Sequence, residues 1–225
     1  MGAAFRPILF DLDGTVANTY PGIVAAANAA LQTVGLPKVA ADHITPLTGR
    51  GVLALVDGLL AVVGAPPDPA LRERAVATYT MEYERTCADG ATAYPGMVEL
   101  LARLPGPLAL LTNKPRRYTD QIATRLDFAR WFATIVAGDD AGDLAKLKPN
   151  PWPIQEALRR LDLGSCRPIL VGDTTADVLA AQAAGVPCCL VRWGHGGSDA
   201  ARLASLSVGD VRELERLLLG RSSAA

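Results

Sequence analysis

The chain opens on an apolar run, Ile8-Leu9-Phe10, that ends in Asp11-Leu12-Asp13-Gly14-Thr15. A short run of strand formers closed by turn residues predicts a buried strand. Beyond it the period changes. Ile23, Val24, Ala27, Ala30, Leu31 and Val34 recur at helical spacing within residues 19–35, which close at Gly35 before Pro37. Helical runs at 52–63 and 69–85 follow, the first stopped by Gly64 and Pro66-Pro67. No strand-like run interrupts residues 17–90, which predicts an all-helical insertion directly after the first strand. From Tyr94 strands and helices alternate: helix 95–104, strand 108–111, helix 116–126, a weaker strand 134–137, helix 152–161, strand 168–171, helix 176–184, strand 187–191 and helix 211–219, with 221–225 frayed. Such alternation predicts an α/β fold, a Rossmann-like core whose parallel sheet is covered on both faces. The core is expected over 1–16 and 93–225, and the α-helical insertion over 17–92.

Composition narrows the picture. Half of the 225 residues are hydrophobic and a fifth are charged, enough to bury a real core. With a formal net charge of −1 and no basic stretch, neither nucleic acid nor an anionic membrane is an expected partner. Cys87, Cys166, Cys188 and Cys189 lack paired metal spacing and read as reduced thiols, with Cys188 and Cys189 on opposite faces of a strand. The start lacks the basic and apolar pattern of a signal peptide, and no apolar run is long enough to span a bilayer. A cytoplasmic protein, monomer or homodimer, is the expectation.

In a parallel α/β sheet, ligands bind beyond the carboxyl ends of the strands, near a topological switch point. Polar groups stand where that rule asks for them. Asp11 and Asp13 follow the first strand, Thr112-Asn113-Lys114 the second, and Gly172-Asp173-Thr174-Thr175-Ala176-Asp177 the fourth; Lys148-Pro149 precedes a helix. Side chains alternate along a strand, so Asp11 and Asp13 leave its end on one side. Two adjacent acids call for a shared cation or proton.

The set suits phosphoryl transfer. A phosphate monoester brings about two negative charges, and ionised Asp11 and Asp173 add two more. One Mg²⁺ and Lys148 offset three of these, and backbone amides at a strand-to-helix turn take the remainder. Asp11 would attack phosphorus, Asp13 would move the proton, and Thr112 and Lys148 would hold the transferring oxygens. Blander roles compete at some positions. Thr112 could cap the following helix, Asp177 could simply face the helix dipole, and Arg50, between Gly49 and Gly51, could be a surface arginine instead of a fork for a substrate carboxylate. Asp139, Asp140 and Asp143 lack the spacing of a calcium loop. His43 and His195 read as structural or surface groups, with a minor substrate role open for His195.

These motifs also resemble, in order and spacing, the four motifs of the haloacid dehalogenase superfamily: Asp11-Leu12-Asp13-Gly14-Thr15, Thr112, Lys148-Pro149 and Gly172-Asp173-x-x-x-Asp177. The insertion is similar to that superfamily's helical cap. Tyr94-Pro95-Gly96, Leu111-Thr112-Asn113-Lys114, Gly138-Asp139-Asp140 and Trp193-Gly194 look most like its phosphoglycolate phosphatase group. The resemblance implies Asp11 as nucleophile and Asp13 as acid/base. It implies Mg²⁺ held by Asp11, the Asp13 carbonyl and Asp173, with Asp177 orienting the ligand set or the lysine. Thr112, Asn113, Lys148 and Arg50 are then expected at the substrate, a small phosphorylated metabolite. Asn18 departs from the acid that relatives often carry at that position. A sugar-phosphate mutase of the β-phosphoglucomutase type, a phosphatase for another small ester, and a non-catalytic scaffold are the competing functions. Dehalogenases lack an acid at the position of Asp13. Phosphonate hydrolases replace it and need a cap lysine, for which only Lys38 is available.

Overall fold

A computed structural model of the chain describes residues 5–220; the frayed end expected at 221–225 lies outside the described residues. The chain divides into two compact units, 1–18 with 92–225, and 19–91.

The larger unit is an α/β layer structure. Its sheet strands are β1 (Ile8–Phe10) and, after β2 (Ala17–Asn18), the run described below. The helical unit intervenes, with α1 (Tyr20–Thr33), α2 (Ala41–Ile44), α3 (Val52–Val62) and α4 (Pro69–Thr86). The larger unit then resumes with β3 (Thr92–Ala93), α5 (Met97–Arg103), β4 (Leu108–Leu111), α6 (Arg116–Arg125), β5 (Phe132–Val136) and α7 (Trp152–Leu161). It ends with β6 (Ile169–Gly172), α8 (Thr175–Ala184), β7 (Cys188–Val191), α9 (Gly197–Leu203), β8 (Leu206–Val208) and α10 (Val211–Leu218).

Six strands form one parallel sheet in the order β5-β4-β1-β6-β7-β8. The chain steps outward from β1 through β4 to β5, then returns to β6 on the other side of β1. That reversal makes the carboxyl ends of β4, β1 and β6 the switch point. β1, β4, β6 and β7 are buried at every position, which is why they read as continuous apolar runs and not as alternations. Leu9, Ala109, Leu111, Leu170, Cys188 and Leu190 pack on one side with Ile154, Ala157, Val178 and Ala181 of α7 and α8. On the next residue Phe10 meets Phe132 edge-on at 6.2 Å. Cys188 belongs to the first of these clusters while its neighbour Cys189 is buried outside it, as period two requires, and none of the four cysteines is in a disulfide.

In the helical unit α4 packs against α1 and α3. It buries Ile23, Ala27 and Leu31 of α1, Leu55, Val56 and Leu59 of α3, and Tyr79 and Tyr83 of α4, whose rings stack at 5.5 Å. Asp68 caps α4 by accepting the Ala70 and Leu71 amides at 2.9 and 3.2 Å.

Several elements differ from the sequence expectation. Ala17–Asn18 is a strand, where residues 17–90 were expected to carry none; it pairs antiparallel with Thr92–Ala93. That pair moves the division between the units to 18/19 and 91/92, against the expected 16/17 and 92/93. Two-residue strands are too short to show a period. The third sheet strand starts at Phe132, not 134. β8 and α9 were not foreseen, because β8 is a three-residue edge with a polar centre, Leu-Ser-Val, and α9 begins in the glycine-rich stretch 194–197. Among the described residues, no helix is long and apolar enough to cross a membrane.

Candidate active site

β1 does not stop at Phe10 electrically. The Asp11 amide still donates to Val171 of β6 at 2.9 Å, so the Asp11 carboxylate is carried by the sheet itself. The chain then folds back sharply. The amides of Thr15, Val16 and Ala17 all turn to the Leu12 carbonyl at 3.0–3.3 Å, and Gly14 takes φ +80°. This turn brings the Thr15 hydroxyl 3.2 Å from Asp173, where it donates to Oδ1. A Cβ on Gly14 would overlap the Asp173 carboxylate, so only glycine meets both the angle and the space.

Asp173 is gripped from the opposite side by the 194–196 loop, whose His195 amide donates to Asp173 Oδ2 at 2.8 Å. A side chain at Gly196 would overlap the Asp173 carbonyl oxygen. Trp193 holds this loop to the first turn by donating from Nε1 to the Thr15 carbonyl at 3.1 Å. The loop also borders a cavity of about 430 Å³ lined by Asp173, Leu190, Arg192 and His195. Its lining does not include Asp11 or Lys148, so it lies beside the carboxylate cluster, not at its centre.

Lys148 is the cation of the cluster. Its Nζ lies 2.8 Å from Asp11 Oδ1 and 2.6 Å from Asp177 Oδ1, and donates to the Leu111 carbonyl at 3.1 Å. Only 3% of its side chain is exposed. Its backbone is fixed by Asn113, whose amide group donates to the Lys148 carbonyl at 2.9 Å and accepts the Lys148 amide at 2.8 Å. Asn113 was expected at the substrate; its side chain bonds the backbone that aims the lysine. Asp177 has two duties. Oδ2 accepts the Thr174 amide at 3.0 Å and the Thr174 hydroxyl at 2.6 Å, closing the first turn of α8. Oδ1 takes Lys148, so one carboxylate touches both the helix start and the lysine.

Thr112 ends β4, its amide bonded to Val136 at 3.0 Å. Its hydroxyl accepts the Lys114 amide at 3.1 Å, which leaves the hydroxyl proton able to point elsewhere. Asp13 lies outside the tight cluster, paired at 3.2 Å with Lys114 Nζ. Lys114, Thr15 and Tyr94 stood within the motifs read from the sequence but were given no role there. Nothing in the local pattern around Lys114 distinguishes it from a surface lysine after a strand. Tyr94 stands in a tilted contact with Trp193 at 6.2 Å, and burial, with the Asp173 and Asp13 charges adding, pushes its phenol up to about 12.

Arg50 is exposed in the helical unit, between two glycines at φ +87°. Asp139 accepts the Arg116 amide, Asp140 pairs with Arg116 and Arg160, and Asp143 accepts the Ala145 amide. Asp139 and Asp140 thus tie the loop to α6 and α7, where a solvated turn was expected.

Electrostatics ask for a further cation. Asp11, Asp173 and Asp177 offer oxygens within 4.8 Å of one another, all buried. Four acids of the site (Asp11, Asp13, Asp173, Asp177) face two lysines (Lys114, Lys148), a deficit of two charges when all are ionised. Burial pushes Asp173 up to about 7, with the Asp177 charge adding and the His195 amide, Lys148 and Thr15 opposing. Burial likewise holds Asp11 well above the ordinary carboxylate range, against Lys148 and with the help of the other three acids. For Lys148 burial works against the ammonium, but Asp11 and Asp177 outweigh it and keep it above its usual value. A buried all-oxygen set with two uncompensated charges fits a hard divalent cation.

Comparisons with known proteins agree with this geometry. The family model for haloacid dehalogenase-like hydrolases matches residues 8–191. The phosphoglycolate phosphatase (plasmid) of Cupriavidus necator is 36% identical over 216 residues, covering 94% of this chain and 92% of the relative. That of Chromobacterium violaceum is 34% identical over 218 residues, covering 95% and 96%. A crystal structure of a predicted phosphoglycolate phosphatase from Haemophilus somnus superposes with a TM-score of 0.87 at 23% identity, covering 95% of this chain and 98% of that one, a likeness of fold. With the six-stranded parallel sheet and the acids and lysine at its switch point, these matches establish that the chain belongs to the haloacid dehalogenase-like hydrolase family.

Proposed function

We infer that the protein is a Mg²⁺-dependent phosphatase for a small phosphorylated acid, with 2-phosphoglycolate as its substrate. The observation that carries this reading is the meeting of Asp11, Lys148 and Asp173 at the switch point, with Thr112 directly after β4 and Asp13 two residues beyond Asp11. The relatives named phosphoglycolate phosphatase, at 34–36% identity, support the choice of ester.

Asp11, Asp173 and the Asp13 carbonyl would hold Mg²⁺, with Asp177 kept for Lys148. When bound, the ion neutralises charge between the phosphate and Asp11. In the first step an Asp11 carboxylate oxygen bonds to phosphorus as the ester P–O bond breaks, and Asp13 gives its proton to the departing oxygen. In the second, Asp13 takes a proton from water, the water oxygen bonds to phosphorus, and the bond from Asp11 breaks. Ester and water become alcohol and phosphate, and both acids return to their starting states. Lys148, held in place by Asn113, and the Thr112 hydroxyl stabilise the phosphoryl oxygens as charge shifts among them. Arg50 is the helical unit's candidate for the substrate carboxylate.

A panel of phosphate esters with and without Mg²⁺ tests the reading, 2-phosphoglycolate, a hexose phosphate and several other small esters among them. The expected result is Mg²⁺-dependent phosphate release with the highest kcat/KM on 2-phosphoglycolate. Conversion of the sugar phosphate to an isomer without phosphate release would overturn it.

A further inference from the structure

The site holds a second buried lysine to which the proposed chemistry gives no role. Lys114 Nζ lies 3.2 Å from Asp13 Oδ2, with 5% of its side chain exposed against 25% for Asp13. Its backbone is fixed at both ends of the peptide. The Lys114 amide donates to the Thr112 hydroxyl at 3.1 Å. Its carbonyl accepts the Gly138 amide at 2.8 Å and the Thr119 hydroxyl at 3.2 Å. Gly138 comes this close because it is glycine: a Cβ there would overlap the Asn113 carbonyl. Three anchors from β4, α6 and the loop after β5 thus aim one ammonium at one carboxylate. Exposed surface pairs are not built this way, and they contribute little.

The pairing also sorts the two neighbouring acids. Asp11 is held by Lys148 and Asp13 by Lys114, each at hydrogen-bonding or near hydrogen-bonding range. We propose that Lys114 is the positioning residue for Asp13, fixing the carboxyl toward the leaving oxygen and stabilising the carboxylate that forms as its proton departs. This rests on the acid/base reading of Asp13. The ammonium, fixed 3.2 Å from Asp13 Oδ2, stands where negative charge develops as the leaving oxygen takes its proton. The transition state therefore gains where charge develops on Asp13, with no reorganisation required.

This role depends on how much the leaving group needs a proton. An alkyl alkoxide such as that of glycolate needs one, whereas p-nitrophenolate leaves without it. The experiment measures kcat/KM, which reports steps through loss of the leaving group, for 2-phosphoglycolate and for p-nitrophenyl phosphate. It compares wild type, Lys114→Met, Lys114→Arg and Asp13→Asn. Lys114→Met is expected to lose on the order of 10–100-fold on the alkyl ester and less than about 3-fold on the aryl ester. Lys114→Arg, which keeps the charge on a different stem, is expected to recover part of the alkyl activity. Asp13→Asn is expected to show the same selectivity, more strongly. Equal losses on both esters in Lys114→Met overturn the proposal, as they do in Lys114→Arg should the methionine chain not fold. If Asp13→Asn is selective and Lys114→Met is not, Lys114 has no part in the acid's work. If Asp13→Asn itself loses equally on both esters, the acid/base reading of Asp13 fails instead.

Discussion

In the proposed metal site, Asp173 is the acid whose titration bears most directly on cation capture. Its contacts are neutral donors, the Thr15 hydroxyl and the His195 amide, and burial leaves its carboxyl at about 7 against an ordinary 3.8. Above about 7 it is ionised and a cation meets no competing proton. Below that, each binding event must displace one, and apparent Mg²⁺ affinity falls about tenfold per pH unit. Asp11 titrates in the same direction and steepens the trend. Calorimetry at pH 8 and pH 6, in buffers of different ionisation enthalpy, is expected to show weaker binding and at least one released proton at pH 6. Equal affinity at both pH values contradicts this. The stability of the metal-free protein has the opposite sign. An acid raised by folding stabilises fully below its unfolded value, 3.8, and that contribution is lost as pH rises through about 7. Mg²⁺ should therefore raise Tm more at pH 8 than at pH 6, which thermal melts at the two pH values check directly.

At the scale of elements, two turns make the site possible, and glycine makes the turns possible. The 12–17 turn and the 194–196 loop close on Asp173 from two directions, at Gly14 and Gly196. Gly196→Ala forces backbone away from the Asp173 carbonyl, where no flexible atom can yield. It is expected to cost more than about 2 kcal/mol of stability and to weaken Mg²⁺ binding at least about tenfold. Gly142→Ala is the matching control, because Gly142 has φ +64° but open space around it. It should cost only about 1 kcal/mol, from strain alone, and leave Mg²⁺ binding unchanged. Denaturant titrations and Mg²⁺ calorimetry on the two variants decide, and wild-type binding in Gly196→Ala would contradict the role of the loop. These glycines show where sequence reading stops. Gly14 was visible as part of a turn after a strand. Gly196 was not, because its demand comes from a carbonyl twenty-three residues earlier. Lys114 was placed after the second strand but without a role, for the same reason: its partner Asp13 lies beyond another strand end. Asn113 was expected at the substrate from the family resemblance, and only the fold reveals the Lys148 backbone opposite it.

For the molecule as a whole, the apolar runs of β1, β4, β6 and β7 were legible, and the residues following them led to the switch point before any strand order was known. What period could not reveal were the pieces without one: the β2–β3 pair, the edge strand β8 and the exact division of the units. Those pieces close the architecture but do not carry the acids. The central claim is that this architecture exists to let Asp11 accept a phosphoryl group. The most direct test mixes the protein with 2-phosphoglycolate and Mg²⁺, quenches in acid within the first turnover, and measures intact and peptide masses. One added phosphoryl group is expected, mapped to the peptide containing Asp11 and removed by hydroxylamine as an acyl phosphate should be. It should be absent from Asp11→Asn, with turnover down on the order of 10⁴-fold or more. Wild-type phosphate release from Asp11→Asn, or an adduct mapped to another residue, would contradict the account.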